Sequence, residues 1–238
     1  MKKLRLGEFE RNSLVVFAIT MIANVLSYLY QIVMGNVLTP ADYGTVNTLL
    51  SLSVVVGVPS GIISALTATY TAKYHAHGET FAIAAFMHGM LRVAAVLAAI
   101  VFVAGALLSR PIAHVLQIDD PHYVTVVMVL VASNCLGPVF SSTLQGVKRF
   151  IPYSMNSVLS FAFRLLLGVI FVWLGWGIPG ALAALILAAC LTMLYCLFKS
   201  RDLFFAPVKE KLALDRTEIR RYFVSTFWFQ LFLLLMAN

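Results

Sequence analysis

The chain has 238 residues, 61% of them hydrophobic and only 11% charged, against the roughly 25% charged residues of an ordinary soluble domain. A water-soluble core of this size has no use for so much apolar side chain, so the composition excludes an ordinary soluble globule and makes lipid the solvent. The net charge of +7 comes from lysines and arginines that mark alternate loops and form no stripe, which excludes a nucleic-acid-binding face. The fold class expected is all-α, a polytopic membrane bundle with six complete transmembrane helices and the start of a seventh.

In chain order, the basic head MKKLRLGEFER precedes an apolar run from Ser13 to Leu38. A secretory leader carries an apolar region of only about 7–15 residues and a small-residue cleavage site, so this run reads as a first spanning helix. It closes in the turn TPADYG, Thr39–Gly44. A second span, Thr45 to about Ala72, is interrupted at its centre by Gly57, Pro59 and Gly61. Those residues read either as a close helix-packing site or as a hinge, because proline removes a helix hydrogen bond and small residues admit a neighbouring helix. The polar link KYHAHGET, Lys73–Thr80, carries His75 and His77 without further ligands, so no metal site is expected there. A third span follows over Phe81–Leu108, and the link Ser109–His122 holds Arg110, Asp119 and Asp120. The fourth span, Tyr123–Leu144, is expected to be broken by Asn134, Gly137 and Pro138.

The fifth span lies between the basic turn at Lys148 and Arg149 and the uncharged turn GWGIPGA, with Trp173 and Trp176 placed as an interfacial belt. The sixth is Ile178–Leu197. The expected organisation is a six-helix lobe over residues 1–198, a cytoplasmic amphipathic linker over 199–221, and the start of a second lobe over 222–238. That last segment is read as a truncated seventh helix, because 17 residues fall short of the about 20 needed to cross a bilayer. Of the 17 Lys and Arg residues, 14 fall in the head and alternate links, and Arg110 alone lies in the opposite ones. The positive-inside rule then sets the N-terminus in the cytoplasm.

Two arginines remain, Arg92 and Arg164, each inside a span. A charge at mid-membrane costs at least about 2.5–3.5 kcal/mol on insertion scales, so it is retained where it meets water, a partner or a ligand. Arg92 lies about 16 Å along its helix from Phe81, one turn from His88. Arg164 shares a helix face with Ser157, Ser160 and Gly168, with Asn156 at its edge; the first helix carries a similar stripe of Asn24, Ser27, Tyr28, Gln31 and Gly35. All ten Asp and Glu residues lie in the head or the links, so neither arginine has an intramembrane acid on this chain. Two readings stay open. Carbonyls, Ser and Asn side chains and water satisfy the arginines, or the arginines line a wet cavity and meet an anionic group, for which a planar guanidinium is suited. The candidate cavity residues are Arg164, Arg92, Asn24, Gln31, Asn156 and Ser160, and the candidate hinge is Gly57, Pro59 and Gly61. Cys135, Cys190 and Cys196 all fall in apolar spans and read as packing residues, offering neither disulfide framework nor metal spacing. No phosphate loop, HExxH or Ser/His/Asp pattern is present, so neither enzymatic chemistry nor a cofactor is expected.

The segment GNVLTPADYG, Gly35–Gly44, resembles the turn that closes the first helix of polysaccharide (oligosaccharide) flippases, and LQGVKRF and GWGIPGA around the fifth span resemble the same family's pattern. The arginine usual before that first turn is absent, since Met34, Gly35 and Asn36 stand there. The resemblance implies a protein of about twelve to fourteen helices in two six-helix lobes, with this sequence as the N-terminal lobe and the first helix of the next. It implies translocation of an undecaprenyl-diphosphate-linked oligosaccharide across the bacterial cytoplasmic (inner) membrane by alternating access. Its partners would be the lipid-linked oligosaccharide, membrane lipids and other envelope-assembly proteins such as a polysaccharide polymerase, with no nucleic acid. The competing readings are a cation-coupled multidrug antiporter of the same superfamily, which typically carries a membrane-embedded acid, and a membrane-embedded envelope-assembly enzyme or scaffold.

Overall fold

A computed structural model describes residues 2–118 and 120–206. These form eight helices: α1 (Lys2–Val37), α2 (Pro40–Val56), α3 (Val58–Ala76), α4 (Thr80–Leu107), α5 (Ser109–Val115), α6 (Pro121–Gly146), α7 (Phe150–Trp173) and α8 (Gly177–Phe204). Five are individually long and apolar enough to cross a membrane. The pair α2 and α3 would make a sixth span, bent by 49° where they meet.

Local chemistry sets the boundaries. In TPADYG, Thr39 caps α2 by accepting from the Asp42 amide at 3.2 Å, Pro40 opens the helix, and Asp42 sits in its first turn. That turn therefore satisfies free amides and places a negative charge at the positive end of the helix dipole. Asp120 and Pro121 repeat the device at α6, where the Asp120 carboxylate accepts from the His122 amide at 2.9 Å. Between α7 and α8 the chain reverses through Gly175 and Gly177, at φ of 84° and 50°, a left-handed backbone that glycine enters without steric cost.

Three differences from the sequence reading have physical causes. The second span starts at Pro40, because the capping turn itself begins the helix. The link after the third span contains α5, whose Ala113 is buried with Ile112 packed beside it. Residues 199–204 continue α8 and do not open a separate surface helix; Ser200 is fully buried and hydrogen-bonded to the Cys196 carbonyl at 2.8 Å. Asp119, the rest of the expected linker and the expected seventh helix lie outside the described residues.

The central helix is α6, which packs against α3, α4 and α8. Its Val127, Met128 and Val131 join residues of α1, α2 and α8 in one core cluster, Val139 joins α3 and α4, and Phe140 and Leu144 join α4 and α8. α7 lies between α1 and α8. At one end of the bundle Arg149 ties α7 to α8, donating to the Lys199 carbonyl at 2.9 Å and pairing through both terminal nitrogens with the Asp202 carboxylate.

Candidate functional site

The break between α2 and α3 at Gly57 and the Pro138 turn of α6, which runs unbroken through its proline, both line a cavity of about 580 Å³. Ser53 and Val54 of α2, Gly57, and Ser60 of α3 form one wall; Ser133, Asn134, Gly137, Pro138 and Ser141 of α6 form another. Asn156, Ser160 and Arg164 enter from α7, and Ala189, Thr192, Met193 and Cys196 from α8. Pro138 has no amide hydrogen, so the carbonyl one turn before it, that of Asn134, lacks its usual helical donor. A similar loss at Pro59 falls beside the Gly57 break.

The hydrogen bonds give this cavity a chemical sense. Ser53 donates to the Leu50 carbonyl at 2.6 Å, Ser60 to Gly57 at 2.6 Å, Ser133 to Val129 at 2.9 Å and Thr192 to Ala188 at 2.8 Å. Each hydroxyl proton is thus returned to the helix that carries it, and the oxygen lone pairs remain for the cavity. Asn156 accepts from the Cys196 thiol at 3.2 Å, which leaves its amide NH₂ as a donor. The strongest donor is Arg164, whose guanidinium lies 5.6 Å from the Phe161 ring and makes no hydrogen bond among the described residues. Among the described residues neither Asp nor Glu lines the cavity. The site therefore offers neutral acceptors around an uncompensated cation, an arrangement suited to an anion attached to a hydroxyl-bearing group.

Of the residues singled out from the sequence, Arg164, Asn156 and Ser160 come together here. Arg92 does not: it is exposed on the open face of α4, in line with Val96 and Val103. Asn24 and Gln31 are exposed on α1 and Ser157 on α7, all outside the cavity lining. Gly168 sits one turn from Arg164 but packs against α1, where an added Cβ would lie 3.3 Å from the Met34 sulfur. Gly57 stands at the α2–α3 break and in the cavity wall, and Pro59 falls in the first turn of α3. The residues missed were Ser133, Asn134 and Ser141 of α6 and Thr192 of α8, along with Ser53 and Ser60. Their signal was the pairing of two mid-span prolines, Pro59 and Pro138, each of which frees a backbone carbonyl that must face something polar. Among the described residues no cluster of three or more His, Cys, Asp or Glu could hold a metal ion.

A family model described as "Polysaccharide biosynthesis protein" matches residues 9–237. No protein of curated function matches the chain. Solved structures share its fold. One is a MATE transporter in the straight conformation, at 18% identity and a TM-score of 0.74, covering 93% of this chain and 52% of its own. Another is the Vibrio cholerae MATE transporter VcmN in the bent form, at 16% identity and a TM-score of 0.72, covering 96% and 56%. A third is a MOP superfamily transporter from Pyrococcus furiosus described by a reversed polarity of its binding pocket, at 19% identity and a TM-score of 0.67, covering 92% and 52%. The chain spans about half the length of these proteins.

Proposed function

The chain belongs to the polysaccharide biosynthesis protein family, and from that premise we propose that it forms one lobe of a flippase that moves a polyprenyl-diphosphate-linked oligosaccharide across the cytoplasmic membrane by alternating access. The observation that carries this reading is Arg164, a cation in a polar cavity inside a membrane bundle that no acid lines among the described residues. A diphosphate crossing a bilayer needs its charge met by fixed donors, since hydrocarbon offers none. Arg164 and the Asn156 amide supply donors, while the Ser and Thr oxygens and the freed Asn134 carbonyl accept from sugar hydroxyls. No bond is made or broken in such a passage, so the work lies in compensating charge and changing access. The bend at Gly57–Pro59, adjacent to the cavity, is the hinge in this reading, and a second lobe completes the pathway. Among the described residues no acid lines the cavity, which supports this reading over an antiporter site built for protons, sodium or cationic drugs.

The test is complementation of surface-polysaccharide export, measured beside membrane abundance, for three variants. Arg164→Lys keeps the charge and should retain partial export. Arg164→Ala and Arg164→Met should lose most of it, and Met preserves length and apolar packing. Normal export by Arg164→Met at normal abundance would refute the role.

A further inference from the structure

Arg164 presents two edges to two environments. Its Nε is buried and lacks a hydrogen-bond partner, while the residue itself lines the cavity. On the buried side stands α1, and the residue of α1 nearest in chemistry is Tyr30. Tyr30 keeps only 9% of its surface, and its hydroxyl is likewise buried without a partner. The Tyr30 ring is held over α7 by the small surface of Gly168, where an added Cβ would lie 3.5 Å from the ring carbon Cε2. Gly168 is one helical turn from Arg164, so ring and guanidinium occupy neighbouring turns of the same face, and hydroxyl and guanidinium lie within electrostatic range.

Two orphaned polar atoms in one helix interface call for a common explanation, because a buried donor without an acceptor is costly and uncommon. A phenol oxygen accepts as well as donates, whereas guanidinium nitrogens only donate. We propose that Tyr30 is the positioning residue of Arg164: its hydroxyl oxygen takes the Nε–H hydrogen bond, directly or through one water, and so fixes the guanidinium with its two terminal nitrogens toward the cavity. This rests on the reading of Arg164 as the group that meets an anion. The consequence is that anion binding in the cavity is coupled to the seating of α1 on α7. An anion held by the terminal nitrogens and the Tyr30 contact at Nε favour the same pose of the guanidinium, and a shift of α1 away from α7 releases the arginine. Neither consequence follows from the α7 sequence alone, and Tyr30 stands outside the polar stripe of the first helix.

Tyr30→Phe removes the hydroxyl and keeps the ring against Met34 and Gly168, so it isolates the contact. The probe is farnesyl diphosphate, a soluble polyprenyl diphosphate, titrated calorimetrically against the protein in nanodiscs, with farnesol as the uncharged comparison. The unmutated protein should bind the diphosphate and Arg164→Met should not. Tyr30→Phe should weaken binding about ten- to a hundredfold, the scale of one hydrogen bond to a charged group. In an Arg164→Lys background, which has a cation but no Nε, adding Tyr30→Phe should change nothing further. Unaltered affinity in Tyr30→Phe, with binding abolished in Arg164→Met, would overturn the positioning role and leave the anion site standing. Equal weakening by Tyr30→Phe in the Arg and Lys backgrounds would show a packing effect and also overturn it. Binding retained by Arg164→Met, or no binding by the unmutated protein, would remove the anion reading itself and this inference with it.

Discussion

Gly146 and Thr71 meet where α6 crosses α3: a Cβ placed on Gly146 would lie 2.7 Å from the Thr71 Cβ and 2.9 Å from the Ala68 carbonyl oxygen. The second of those atoms is backbone and cannot rotate away. Gly146→Ala should therefore destabilise the protein by about 1–3 kcal/mol, the range for overpacking a close interface, and Gly146→Val by more. Thermal unfolding in detergent micelles measures this. Gly44→Ala is the control, since nothing lies within 4 Å of its added Cβ. Equal unfolding midpoints for Gly146→Ala and Gly44→Ala would mean that the crossing opens freely.

The same crossing carries a hydroxyl pair, Ser64 and Ser142, 2.7 Å apart. Interhelical hydrogen bonds of this kind couple by about 0.6 kcal/mol on average and rarely beyond about 1.7. A cycle of Ser64→Ala, Ser142→Ala and the double variant should return a coupling in that range. Strict additivity of the two single losses would mean that the bond contributes nothing.

Orientation is testable by impermeant thiol labelling in a cysteine-free background. Ala76→Cys, exposed at the end of α3, should label only after the cells are opened, and Ala41→Cys, exposed at the start of α2, should label from outside. Ser200 is unsuitable as a reporter because it is fully buried. Labelling of Ala76→Cys in intact cells would reverse the topology.

The α2–α3 bend predicts a distance change. Pro59→Ala restores an amide that can bond one turn back, so it should favour a straighter second span than the 49° bend. Spin labels at Ala41 and Ala76 read the separation of the two ends, which should lengthen in Pro59→Ala. Export should fall in the same variant if the bend serves access. A longer separation with export unchanged would separate the bend from the transport cycle.

The membrane class and the individual helices were legible because each depends on quantities local in sequence. Apolar length set the spans, TPADYG and Asp120-Pro121 set starts, and GWG set a reversal, so boundaries agreed to within a few residues except where a cap or a core contact extended a helix and at α1, which runs back through the basic head to Lys2. α5 was missed because seven residues give no resolvable period, and its only reason to be helical is the burial of Ala113 against distant residues. The α8 extension was missed because Lys199 and Arg201 look like a membrane exit, although Ser200 and Leu203 on the other face are buried.

Arg92 and Arg164 show the limit of the sequence most clearly. Both sit within apolar spans, without an acid nearby in the chain, and helix periodicity defines the face each occupies on its own helix. Periodicity says nothing of where that face points, because it fixes angles about one axis and leaves the rotation of that axis in the bundle free. Packing fixed the rotation: α7 is wedged between α1 and α8, which turns Arg164 and Asn156 toward α6, whereas α4 buries its Ala94 and Ala98 side and leaves Arg92 exposed. The sequence alone determined that this chain lives in a membrane, where its helices run and which of their residues are anomalous there. Only the tertiary structure decided that Ser53, Asn134, Thr192 and Arg164 share one cavity, because residues far apart in the chain become neighbours through side-chain packing between helices, and packing is not a local property.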